Sequence, residues 1–209
     1  MHYTALMDST TASLAAVIGT RVKQERQARR WTLDQLAEVA GVSRRMVANV
    51  EQGVANPSVQ TLLRISDALG IGLPAMVAPA PSASVRVTRR GEGAVLWTGE
   101  FGGRGVLMAG TGPPDVVELW DWTLGPGDEH VSETHAPGTR ELVQVQSGHL
   151  VLSIAGQSNA LAVGDAIAFD GDAPHSYANP GTGQARFSLA VFEPRVGATA
   201  PVTPIRGST

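Results

Sequence analysis

The 209-residue chain contains no cysteine. That excludes disulfide cross-links, thiol nucleophiles and thiolate-bound zinc together, so any metal must sit on His and carboxylate ligands. It also lacks an apolar run approaching the ~20 residues that span a bilayer. No signal peptide opens it: Asp8 stands where a basic segment belongs, and the apolar patch Leu14–Ile18 is short. A soluble cytoplasmic protein with no membrane partner is expected. Lysine is nearly missing, Lys23 being the single one among 16 basic side chains. A basic excess is missing too. Sixteen basic against 19 acidic residues give a net charge of −3, which taken whole disfavours a nucleic-acid partner.

What is present changes character at about Ala78. Residues 1–78 carry eight basic and six acidic side chains, and the remainder eight and thirteen, so a net +2 front and a net −5 back make up the −3. Between them Ala78-Pro79-Ala80-Pro81-Ser82-Ala83-Ser84 has the composition of an exposed linker. The reading is therefore two domains: 13–78 helical, a linker over 79–84, and 85–196 of strands. Residues 1–12 and 197–209 are expected to be disordered.

The front half predicts five helices. The first runs from about Ser13 to Arg29, with Leu14, Val17, Ile18 and Val22 at helical spacing. Thr32 caps the second and Gly41 ends it; Ser43 caps the third and Ser58 the fourth; Pro74 opens a short fifth. The back half predicts short strands separated by Gly- and Pro-containing turns. They include Val85–Thr88, Ala94–Trp97, Val106–Ala109, Val116–Leu124, Glu141–Gln146, Leu150–Ala155, His175–Ala178 and Arg186–Phe192, an antiparallel sandwich or barrel.

Thr32 to Glu51 has helix-turn-helix spacing. Ala37 is small where two helices cross, Gly41 makes the turn, and Val42 and Val47 lock the second helix onto the first. The presented face carries Arg44, Arg45, Ala48 and Asn49, with Thr32 and Ser43 at the helix starts. Arg bonds guanine edges in bidentate fashion, and Asn does the same with adenine. Arg26, Arg29 and Arg30 read equally as phosphate contacts or as structural charges. Over Ile18–Leu73, including Glu51-Gln52-Gly53 and Asn56-Pro57-Ser58, this stretch resembles the XRE (Cro/repressor-like) helix-turn-helix family. The resemblance implies a lambda-repressor-like bundle on double-stranded operator DNA. One departure is Leu33, where the family often carries a Gln or Ser that grips a phosphate. The bland alternative is a helical bundle used for protein contact.

From Gly125 to Asn179 the chain resembles a cupin. Gly127, His135, Glu141 and Gly148 follow the first family motif; Gly164, His175 and Asn179 follow the second, with Asp170 and Asp172 replacing its Pro and Gly. The resemblance implies an antiparallel β-barrel of cupin/jelly-roll type with a pocket formed by His135, Glu141, His175 and Tyr177. The family's metal set is two His, a Glu and a further His; here Glu133 stands at the first His place, two before His135, so the candidate set is Glu133, His135, Glu141 and His175 for Zn, Fe, Mn or Ni. His130 is a second candidate ligand, and the same groups line an organic-ligand pocket in cupins without metal. Trp97, Trp120 and Trp122 are either pocket walls or core. A reader joined to a barrel resembles the XRE–cupin transcriptional regulators. That implies a small-molecule effector, a homodimer through the cupin domain, and no catalysis; the rival is a metal-dependent enzyme of oxygenase or isomerase type.

Overall fold

The structure, a computed structural model, describes residues 3–77 and 85–197, with the backbone alone over 3–13. The expected linker and, but for Gly197, the expected C-terminal tail lie outside the described residues. Five helices come first: α1 (Tyr3–Ala28), α2 (Leu33–Ala40), α3 (Arg44–Glu51), α4 (Val59–Leu69) and α5 (Leu73–Val77). The count is as expected, but α1 reaches back to Tyr3, through the stretch expected to be disordered.

The ends of α2–α4 follow from their caps. Thr32 Oγ1 accepts from Gln35 N while Thr32 N donates to Gln35 Oε1, a reciprocal capping box. Ser43 Oγ accepts from Met46 N and Ser58 Oγ from Thr61 N. Gly41 ends α2 in the left-handed region at φ 63°, which makes the turn into α3 cheap. Leu36, Val47, Leu62, Ile65, Leu69, Leu73 and Met76 are buried where the helices meet. Helix α1 crosses α3 so closely that a Cβ on Gly19 would clash with Val50 O. A buried fork locks the crossing: Arg26 Nε and Nη2 lie 2.5 and 2.8 Å from the two Glu51 oxygens, and Nη1 donates to Trp31 O at 2.8 Å.

Ten strands follow: β1 (Ala94–Thr98), β2 (Arg104–Gly110), β3 (Val116–Leu124), β4 (Glu129–Ser132), β5 (Arg140–Ser147), β6 (Leu150–Ile154), β7 (Gln157–Leu161), β8 (Ala166–Asp170), β9 (His175–Ala178) and β10 (Ala185–Glu193). They form a six-stranded sheet, β1-β2-β3-β10-β5-β8, facing a four-stranded one, β4-β9-β6-β7. No ladder joins the two, so a two-sheet sandwich of jelly-roll kind replaces the closed barrel expected. Val85–Thr88 makes no strand, and β4 was not foreseen. Inward residues of the large sheet stack in rows: Trp122, Phe187 and Val145; Trp120, Leu189 and Val143; then Glu118, Val191 and Glu141. The apolar rows form the core; the last row is acidic and opens the functional end. Asp128 fixes the opposite rim, just beyond Leu124, by accepting from Phe101, Gly103 and Gly125 N. Asn179, read from sequence as a motif residue, donates to Leu124, Gly125 and Gly183 O and is structural.

The helical head packs on the sandwich. Helix α5 lies on β2, with Pro74 against Gly110, and Gly70 at the end of α4 packs on Gly197. No helix among the described residues is long and apolar enough to cross a membrane.

Candidate functional site

In the head, α3 presents Arg44 and Arg45 exposed, with Ala48 and Asn49 half-buried beside them. Thr32 and Ser43 sit at the starts of α2 and α3, their side-chain oxygens spent on the caps. Arg44 Nε lies 3.3 Å from Asp34 Oδ1, both side chains more than half exposed, a contact of little energetic weight. Arg45 has no ion-pair partner among the described residues. The question left open for Arg26 and Arg29 is answered by geometry: Arg26 is in the buried fork, and Arg29 pairs with Glu25 at 2.7 Å and donates to Leu69 O. Both are structural.

In the sandwich, the acidic row meets two histidines. His135 Nε2 lies 3.0 Å from Glu141 Oε1, and His175 Nε2 3.3 Å from the same oxygen. The Tyr177 hydroxyl donates to Glu141 Oε2. His175 and Tyr177 alternate inward on β9, and Glu141 does so on β5. A Cβ on Gly171 would approach Glu141 Oε1 at 3.2 Å, so its small size leaves the carboxylate room. Burial alone would raise the Glu141 pKa; the contacts from His135 and His175, and their charges, outweigh it and hold the group at about 2. Burial likewise lowers His175, but the Glu141 carboxylate more than compensates and raises it. Tyr177 is pushed well above its ordinary value, first by burial and then by Glu141.

His175 Nδ1 lies 2.8 Å from Ala173 O. A carbonyl only accepts, so Nδ1 carries a hydrogen and Nε2 is left for the cavity. Despite its approach to Glu141, Nε2 is not aligned for a hydrogen bond and has no partner. A ring nitrogen oriented from behind in this way is how a metal-binding imidazole is held. His135, Glu141 and His175 bring their ligand atoms within 4.8 Å of one another, and among the described residues they are the one such group. Two imidazoles and a carboxylate suit Fe, Mn, Ni or Zn and leave coordination positions open. The donor set therefore fits a divalent ion. Glu133 stays outside it, a correction to the four-ligand set: although it holds the first place of the family's His-x-His pair, it lies past the end of β4 at Ser132 and bonds Arg64 instead.

His130 is stacked rather than liganding. It lies 4.7 Å from Trp122, 5.3 Å from Trp97 and 6.3 Å from Tyr177 between ring centroids. Burial first, then the His175 charge, lower its pKa to about 4, so it stays neutral. Trp120 and Trp122, 97–98 % buried, serve as core and cavity wall at once.

One group in this cavity, Glu118, was not foreseen. Glu118 is 1 % exposed, its Oε2 accepting from Trp120 Nε1 at 2.8 Å while Oε1 has no partner. Burial, reinforced by Glu193, raises its pKa to about 8. Trp122 Nε1 is unpartnered as well. The signal was in the sequence: the alternation of Val-Val-Glu-Leu-Trp-Asp-Trp-Thr-Leu puts Glu118 on the face of both Trp residues. The cavity's other wall belongs to α4, which adds Val59, Gln60 and Leu63.

The comparisons agree with this division. Residues 22–75 match the helix-turn-helix family model and residues 120–192 the cupin domain model. The chain is 30 % identical over 183 residues to the HTH-type transcriptional regulator SutR of Escherichia coli K12, covering 88 % of this chain and 98 % of that protein. It is 26 % identical over 176 residues to the E. coli K12 regulator PuuR, covering 82 % and 92 %. Among solved structures it resembles an HTH_3 family transcriptional regulator from Vibrio cholerae, with TM-score 0.67 and 26 % identity over 88 % of this chain and 99 % of that one. With a helix-turn-helix head, a cupin body and a relative matched nearly end to end, the chain belongs to the HTH-type transcriptional regulators of the XRE kind that carry a cupin domain.

Proposed function

We propose that this regulator works in the cytoplasm as a homodimer whose cupin cavity senses a small-molecule effector, with a divalent ion on His135, Glu141 and His175, and changes operator affinity accordingly. One observation carries the sensing reading. Glu118 Oε1, Trp122 Nε1 and His175 Nε2 are three of the four unpartnered buried side-chain atoms among the described residues, and all three line one cavity. Leaving such atoms bare costs about 1–3 kcal/mol each, a cost that an occupant bonding to them removes. Effector contacts are assigned to His135, Glu141, His175 and Tyr177. When bound, the ion supplies a Lewis-acidic anchor for an effector oxygen.

On DNA, Arg44, Arg45 and Asn49 read base edges and Ala48 offers an apolar contact, while the helix starts at Thr32 and Ser43 face phosphates. The head's net charge is small and one helix reads few base pairs, so two heads must act together. The outer face of the six-stranded sheet supports pairing through the cupin: Leu119, Ala190, Leu142 and Ala168 lie in one row across β3, β10, β5 and β8, with Leu119 and Leu142 about half exposed. A two-fold axis through such a row buries it against its own copy.

A fluorescent operator selected from random duplex DNA tests the proposal. Metabolites and divalent ions are titrated against wild type and against Glu141→Ala and His175→Ala. Variants that respond like wild type would overturn the cavity assignment. The open positions of the His–Glu–His set favour one second reading, a metal-dependent enzyme; a substrate consumed catalytically by the metal-loaded protein would establish it.

A further inference from the structure

We propose that the DNA-binding head is itself a wall of the effector site, and that Arg64 and Glu133 couple the cavity to the reading helix. This rests on the sensing role just proposed and goes further by naming the route. Val59, Gln60 and Leu63, on the helix that follows the reading helix, line the cavity together with His135, Glu141, His175 and Trp122. Beyond them lies a crevice of about 430 Å³ between the two domains. Its head side is Gln60, Leu63, Arg64 and Asp67; its cupin side includes His135 and Glu193. The inner cavity holds only about 50 Å³, room for an ion and a few waters, whereas the crevice has the size of a small-molecule site. Cations and carboxyl groups both line it, which suits a small polar ligand. His135 borders both spaces, so an occupant anchored there touches cupin and head together.

Arg64 is the connector. Its Nη2 pairs with Glu133 Oε2, and its Nη1 lies 3.5 Å from Gly41 O, in the turn between α2 and α3. Glu133 is two residues from His135 in the segment joining β4 to β5. A change at His135 therefore reaches the helix-turn-helix turn through two side chains. Arg64 and Glu133 are 45 % and 60 % exposed, and an ion pair so placed is weak enough to exchange readily. A ligand that touches both domains in the docked arrangement favours it by its difference in affinity, and the coupling is reciprocal.

The test uses the full chain as wild type, Arg64→Glu, Glu133→Arg and the double charge swap. Three quantities are read: amide exchange of α4, Mn²⁺ affinity by calorimetry, and affinity for the selected operator with and without Mn²⁺. In each single variant α4 amides are expected to exchange about 2–5-fold faster. Mn²⁺ is expected to bind roughly 2–5-fold more weakly, and its effect on operator affinity to disappear; the swap restores the first two, while a carboxylate at position 64 cannot donate to Gly41 O and leaves the operator effect lost. Wild-type exchange and wild-type Mn²⁺ response in both single variants would overturn the proposal. Should the wild type itself ignore Mn²⁺, the metal-sensing reading fails separately. The α4 exchange needs no metal and still decides the head's place: faster and restored by the swap upholds it, unchanged refutes it.

Discussion

Replacing Arg26 by Ala discriminates a structural arginine from a DNA contact. The side chains of Arg26 and Glu51 are 13 % and 8 % exposed, and Arg26 makes three bonds, two to Glu51 and one to Trp31 O. Alanine leaves a buried carboxylate and a carbonyl without partners. Breaking a buried ion pair from one side costs about 3–5 kcal/mol, and the slight residual exposure places this one at the lower end, about 3. At about 4–8 °C per kcal/mol for a domain of this size, the head should melt roughly 12–24 °C earlier. Circular dichroism at 222 nm follows the helical head, and tryptophan fluorescence, three of the four Trp residues being in the cupin, follows the rest. Replacing both partners, as Arg26→Met with Glu51→Leu, removes the stranded charge and should recover stability to within about 1 kcal/mol of wild type. A loss below about 1 kcal/mol in Arg26→Ala, accompanied by loss of DNA binding, would refute the structural role and return Arg26 to the phosphate backbone.

Glu141→Gln should be less stable than wild type by about 3 kcal/mol at neutral pH, since Glu141 titrates at about 2 rather than 4.5 and each unit is worth about 1.36 kcal/mol. A depressed carboxyl stabilises above its unfolded pKa, so in urea titrations the gap should persist above pH 4.5 and close as pH falls to about 2; a pH-independent gap would contradict this. Arg45→Ala and Asn49→Ala should each weaken operator binding by about 1–3 kcal/mol in anisotropy titrations with unchanged circular dichroism, relaxing sequence preference at one base pair. Leu142→Glu should convert the dimer to monomer in light scattering and weaken operator binding with it. Asp128→Ala strands three backbone N–H groups and should lower the cupin melting transition by at least ~2 kcal/mol while leaving the helical transition in place.

Much of this was legible locally. The caps Thr32, Ser43 and Ser58, the stop at Gly41 and the 3.6-residue periodicity define helices whose ends involve neighbours along the chain. Period-2 alternation located β3 and β9 residue for residue. His135, Glu141 and His175 were recognised by spacing and do meet. The same spacing logic failed at Glu133, which stands two residues before His135 at the family's first His place but bonds Arg64 beyond the end of β4. It also missed β4, a short stretch in which three of four residues are charged or polar and whose pairing with β9 no local pattern announces.

The sequence by itself determined that there are two domains, that one presents Arg44, Arg45 and Asn49 on a capped helix, and that any metal here must use His and carboxylate. Those properties follow from residue type and short-range period. Only the tertiary structure decided that Arg26 belongs to Glu51, that Glu118 and Trp122 face the cavity without partners, and that α4 closes it with Arg64 on Glu133. Each of these joins residues far apart in the chain. Which distant side chain meets which depends on how two sheets and a helical head pack, and that three-dimensional registry has no signature in a window of neighbours.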